Sequence, residues 1–180
     1  MLDTPPDAAL DELTQLAARI FQVPIALVSL LDEQRQWFKS RVGVAVAQTP
    51  RALAFCDHAM RESGVTVVAD ARNDPRFRDN PLVHGQAGMR FYAGAPLRTP
   101  EGHALGTLCV IDREPRQFTE HECAALAVLS RRPIVERFRP HPCRFRPTGR
   151  SPLIPPPPQA VSPALLPPTE CAPTSSAACC

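Results

Sequence analysis

Apolar and polar residues alternate along Arg90-Phe-Tyr-Ala-Gly-Ala-Pro-Leu97. Phe91, Ala93, Ala95 and Leu97 share one face, and Arg90, Tyr92 and Gly94 the other, which is the period of a β-strand. A second run, Leu105-Gly-Thr-Leu-Cys-Val-Ile-Asp112, follows the polar loop Arg98-Thr-Pro-Glu-Gly-His103. Together they predict an antiparallel hairpin. Gly94 and Gly106 stand inside the strands, where a missing side chain lets a ligand or another backbone come close. Such a hairpin reads as a binding platform rather than a reaction centre.

Upstream, Leu10, Leu13, Ala17, Ile20 and Phe21 fall on one helical face, with Asp11, Glu12 and Arg19 off it. Thr4-Pro-Pro-Asp7 predicts the start of that helix, with Thr4 as N-cap, and Pro24 its end. Ile25–Leu31 is almost wholly apolar, a strand covered on both faces. Asp32–Arg35 makes a turn into a more exposed partner strand, 36–41, and residues 42–52 read as loop. A short helix over 54–61 carries Phe55, Cys56 and His58, and a third strand covers 65–69. The polar stretch 70–88, with Asn73-Asp-Pro75 and Asp79-Asn-Pro81, is too long for an idle connection. Thr119-Glu-His-Glu122 is a capping box opening a last helix that buries Cys123, Leu126 and Ala127. This order predicts an α+β fold with an antiparallel sheet of about five strands.

Composition divides the chain near residue 131. Of 22 prolines, 13 lie from Pro133 onward, and the 19 Arg outnumber a single Lys. Residues 1–130 carry 13 Lys+Arg against 16 Asp+Glu, whereas 131–180 carry 7 against 2, so the net charge of +2 averages two unlike pieces. The expected organisation is one domain over 1–130 and a Pro/Arg-rich, low-complexity, disordered tail over 131–180. Arg131-Arg-Pro133 is expected to interrupt the last helix. The abrupt change, ending Cys179-Cys180, is what an out-of-frame reading of a GC-rich gene produces. No run approaches the ~18 apolar residues of a membrane span, and the start lacks signal-peptide regions. The seven cysteines are odd in number and show no zinc-type spacing, and the cytoplasm is the expected compartment.

Seven blocks carry a family resemblance: Pro24–Leu30, Arg35-Gln-Trp-Phe-Lys39, Phe55-Cys-Asp-His58, Asp74-Pro-Arg-Phe77, Asn80-Pro-Leu-Val83, Arg90–Leu97 and Gly106–Asp112. In this order they resemble a GAF domain, of the kind found N-terminal to bacterial sensor histidine kinases and diguanylate cyclases. The resemblance implies a central antiparallel sheet with helices on one side. On the other side it implies a ligand pocket, roofed by 54–61 and 70–88 and floored by 90–97. It also implies a regulatory role: binding a cyclic nucleotide, tetrapyrrole or other small molecule, or dimerising to relay a signal to a kinase or cyclase effector. No kinase, cyclase or DNA-binding motif follows residue 131, and neither nucleic acid nor membrane is an expected partner.

The expected ligand contacts are Phe55, His58, Asp70, Asp74, Arg76, Phe77, Arg90 and Tyr92. Arg76 or Arg90 could meet a phosphate or carboxylate bidentately; alternatively, Asp74-Pro-Arg-Phe77 and Asp79-Asn-Pro81 only brace their loop. Tyr92 and Trp37 could stack on a planar ligand, or Trp37 could pack beneath the terminal helices. Cys56 and His58, two apart on a helix, point away from each other. His84 and His103 are isolated, so no metal cluster is expected, and the ligand's identity stays open. Two other readings compete with the non-catalytic sensor. One is a ligand-free interaction and dimerisation module. The other is a thiol-based reductase or redox sensor using Cys56 and Cys109, although their pattern does not match GAF-fold methionine sulfoxide reductases.

Overall fold

The computed structural model describes residues 2–137, with side chains as far as Arg131. The expectations placed on the tail beyond, its disorder and its origin, lie outside the described residues. The strands are β1 (Ile25–Leu31), β2 (Arg35–Val42), β3 (Gln48–Pro50), β4 (Thr66–Val68), β5 (Phe91–Arg98) and β6 (Ala104–Asp112). They form one sheet in the order β3-β2-β1-β6-β5-β4, every pair antiparallel. The apolar strands β1 and β6 lie at its centre, where both faces are covered. The hairpin is as expected, with Phe91 opposite Asp112 and Leu97 opposite Gly106.

Helices α1 (Ala8–Ile20) and α4 (Glu120–Arg137) cover one face. Their core joins Leu10, Leu13, Ala17 and Phe21 to Val28, Phe91, Leu97, Leu108 and Leu126. Phe118 bridges Phe21 and Phe91, with ring centroids 5.3 and 5.4 Å away. On the opposite face lie α2 (Phe55–Ala59) and α3 (Pro81–His84), over a second core that includes Leu27, Phe38, Phe77, Tyr92 and Cys109. Asp112 closes the end of β6. Its carboxylate accepts from the backbone N–H of Arg113 (2.6 Å) and from Arg116 Nε (2.5 Å). Arg116 also donates to the Phe21 and Gln22 carbonyls just past α1.

Several expectations need correction. The N-cap of α1 is Asp7, not Thr4: its Oδ1 accepts from Ala9 N (3.1 Å) and Leu10 N (3.4 Å). A residue before proline is pushed out of the α region, so the Pro5-Pro6 pair delays the helix past Thr4. Ile20 is half exposed because, at about 100° per residue, it stands at the edge of the Leu10–Leu13–Ala17 stripe. The 42–52 segment is not all loop, since it holds β3 and a 3-10 turn, Arg51–Leu53. Finally, α4 runs through Pro133 to Arg137. Proline removes one hydrogen bond, but its φ near −65° is helical, and burial of Leu126 and Ser130 holds the helix on the sheet. The Thr119–Glu122 capping box opens α4 as expected, Thr119 N donating to Glu122 Oε2 at 2.7 Å. Cys123 and Ala127, however, are only half-buried.

Candidate functional site

A cavity of about 400 Å³ opens on the face away from α1 and α4. That is the lower range of small-molecule sites. Leu27 of β1, Phe38 of β2, Tyr92 of β5 and Ile111 of β6 form its floor. Phe55 and Cys56 of α2 make one wall, and Leu82 and Met89 another. Val44 and Val46, on the connection from β2 to β3, form the rim, and Val46 is half exposed. Polar groups are few: Gln36, Thr49, Gln86 and Arg113. Arg113 is exposed at the mouth, and its guanidinium has no partner among the described residues.

Of the expected ligand contacts, Phe55 and Tyr92 line this cavity. Phe77 stands behind the wall, stacked on Phe55 with centroids 4.0 Å apart and planes 10° from parallel. His58 packs against Phe77 with the ring centroids 5.0 Å apart and the planes nearly perpendicular. Asp70 and Asp74 are turned to their own loop. Each accepts from the backbone N–H two residues on and pairs at 2.7 Å with an arginine, Arg72 and Arg76 respectively. Those arginine hydrogen bonds hold both carboxyls below their ordinary pKa. Arg90 donates to the Val83 and Met89 carbonyls at 2.7 and 3.0 Å, and so fixes the loop on β5. Trp37 faces away from the cavity and sits under Lys39 Nζ.

The contacts not foreseen include Phe38, Val44, Val46, Met89, Gln86 and Arg113. One signal was available: Val42-Gly-Val-Ala-Val-Ala47 is an apolar run in a segment with no periodicity, which suits the rim of a pocket better than an exposed turn. The charges of the long polar loop are instead partners for one another.

Buried polar groups gather below the cavity. Gln36 Nε2 and Tyr92 Oη approach Cys56 Sγ at 3.2 and 3.4 Å, and Cys109 Sγ lies 3.7 Å from it. Ser29 and Thr107, paired side by side on β1 and β6, bond to each other at 3.1 Å. Burial alone would push the Cys56 thiol up, but hydrogen bonds from Cys109, Ser29, Thr107 and Tyr92 outweigh it, and the net direction is down. The Cys109 thiol, which gives its hydrogen bond to Cys56 and is itself buried, is pushed up. Burial likewise raises Tyr92, so its phenol stays a donor. Among the described residues, no three His, Cys, Asp or Glu side chains gather as metal ligands would.

A two-faced antiparallel sheet, with terminal helices on one side and an apolar cavity on the other, defines a pocketed α+β domain. The chain belongs to the GAF domain family, which matches residues 5–132. Over 132 residues it is 52% identical to a cyclic di-GMP phosphodiesterase of Pseudomonas aeruginosa, a match covering 73% of this chain and 22% of that protein. The chain thus spans less than a quarter of that relative. Among solved structures, the GAF domain of an Acinetobacter phosphoenolpyruvate-protein phosphotransferase superposes with TM-score 0.58 at 20% identity, covering 71% of this chain and 80% of that one. A type II free methionine-R-sulfoxide reductase from Thermoplasma acidophilum also superposes with TM-score 0.58, at 13% identity, covering 73% and 92%. These two likenesses concern the fold alone.

Proposed function

We propose that this GAF domain is a cytoplasmic sensor, non-catalytic by itself, that binds a small, mainly apolar anion and regulates an effector of cyclic di-GMP turnover. The observation that carries the reading is the open cavity: an apolar floor and walls, with the Arg113 guanidinium, which has no partner among the described residues, at the mouth. An anionic head would meet Arg113 while its body covered Phe38, Met89 and Tyr92. The class of effector is supported by the relative's identity across the domain. Among the described residues, no helix is long and apolar enough to cross a membrane.

The test is thermal unfolding of the full chain against aromatic and aliphatic carboxylates, cyclic nucleotides, haem, bilins and amino acids. At 100 times its Kd a ligand adds about 2.7 kcal/mol, enough to raise Tm by several degrees. Arg113→Ala is expected to weaken an anion severalfold while leaving its uncharged analogue unaffected. No shift with any class would overturn the ligand reading.

Relay would run through α1 and α4, which lie against each other and leave Leu16, Ile20 and Val128 about half exposed. A second copy covering these side chains makes the domain a homodimer in this reading. Light scattering on the parent is expected to give a dimer, and Leu16→Glu with Val128→Glu a monomer. A monomeric parent at high concentration would end the dimer model of relay.

A further inference from the structure

Two thiols meet under the cavity, and ligand binding gives them no task. Cys56 lies in the first turn of α2 and lines the cavity, while Cys109 lies in the middle of β6 with no exposure. Their sulfurs are 3.7 Å apart, so a shift of about 1.7 Å would bring them to bonding distance. The surroundings of Cys56 are not those of an inert core thiol. Two donors, Gln36 Nε2 and Tyr92 Oη, reach the same sulfur, and such donors favour the thiolate that reacts. Room for the phenol is built into β5: a Cβ at Gly94 would stand 2.2 Å from Tyr92 Oη.

We propose that Cys56 and Cys109 form a reversible, peroxide-responsive dithiol whose oxidation reshapes the cavity wall. A peroxide entering the cavity is attacked by the Cys56 sulfur. The O–O bond breaks, one oxygen stays on sulfur as sulfenic acid, and the other leaves as water, or as an alcohol from an organic peroxide, with the thiol proton. The Cys109 sulfur then attacks the sulfenic sulfur. An S–S bond forms, and the S–OH bond breaks to release a second water with the Cys109 proton. Two electrons have passed from the thiols to the peroxide, and a dithiol reductant returns them. Cys56 is the attacking sulfur because it alone of the pair touches the cavity. Its bond to Cys109 would draw the first turn of α2 toward β6 and carry along Phe55, the neighbouring wall residue.

The test uses the full chain and hydrogen peroxide. After alkylation, an unreduced tryptic digest is expected to join peptides 52–61 and 99–113 through Cys56 and Cys109, and dithiothreitol should separate them. Cys109→Ser should stop at a Cys56 sulfenic acid trapped by dimedone, and Cys56→Ser should leave Cys109 unreacted. Tyr92→Phe keeps both thiols and is expected to slow the cross-link severalfold, which makes it informative should either serine variant fold poorly. Recovery of Cys56 and Cys109 as free thiols under peroxide that oxidises the half-buried Cys123 would overturn the proposal. So would linkage of Cys56 to a tail cysteine, or a Tyr92→Phe rate equal to the parent's.

Discussion

Gly106→Ala is expected to destabilise the domain by about 3–4 kcal/mol, at the upper end of what an overpacked site costs. Gly106 lies in β6 between Leu30 of β1 and Leu97 of β5. An added Cβ would stand 1.9 Å from the Ser29 carbonyl oxygen and 2.9 Å from Leu30 Cα. Both are backbone atoms of the central strand, so no side-chain rotation relieves the overlap. Either β1 and β6 separate locally, losing ladder hydrogen bonds, or the register shifts and turns Leu108 and Val110 out of the core. For a domain of this size the loss corresponds to a fall in Tm of roughly 10–15 °C. Gly64→Ala is the control: its Cβ would meet nothing within 4 Å, and its stability is expected to change by less than about 0.5 kcal/mol. Equal melting curves for the two variants would show that β1 and β6 are not packed as described.

Gly106 and Gly94 also illustrate how far the sequence was legible. Both read as points of close approach, and both are. What approaches, however, is protein: the β1 backbone at Gly106 and the Tyr92 phenol at Gly94. Strands with clean alternation or continuous apolar runs were readable because burial on one or two faces imposes those patterns. β3 was not, because three residues at an exposed edge bury nothing regular. The site was less legible than the fold for a related reason. Charged loop residues look available in sequence, yet Asp70, Asp74, Arg76 and Arg90 satisfy one another or the backbone. The cavity is instead assembled from Phe38, Val44, Phe55 and Met89, which only the tertiary fold brings together. The 3.7 Å approach of Cys56 to Cys109 spans 53 positions of sequence, and no spacing rule could supply it.

Phe77→Ala is expected to cost about 3–5 kcal/mol, the range for a fully buried aromatic ring, and to abolish whatever the cavity binds. Phe77 is 2% exposed and links the long polar segment to the cavity. One face stacks on Phe55, His58 meets its edge, and the Arg76 guanidinium lies 5.0 Å from its centre. Phe55 in turn leans on Tyr92, with centroids 5.4 Å apart. Truncation would leave a void directly behind the Phe55 wall, and the ring would lose its stacked partner and keep only the tilted contact with Tyr92. The segment's remaining ties include Asn80 Nδ2 to the Leu53 carbonyl at 3.1 Å and Ala71 N to the Arg90 carbonyl at 2.6 Å. They fix its ends but do not fill that volume. Urea unfolding should show a lower midpoint at unchanged slope. A double-mutant cycle with Phe55→Ala should return a coupling of about 0.5–1.5 kcal/mol, the excess expected of a stacked aromatic pair. Phe77→Leu, which refills most of the space, should recover much of the stability. If Phe77→Ala cost under about 1 kcal/mol and left ligand-induced shifts intact, the segment would be an independent cover rather than the support of the cavity wall.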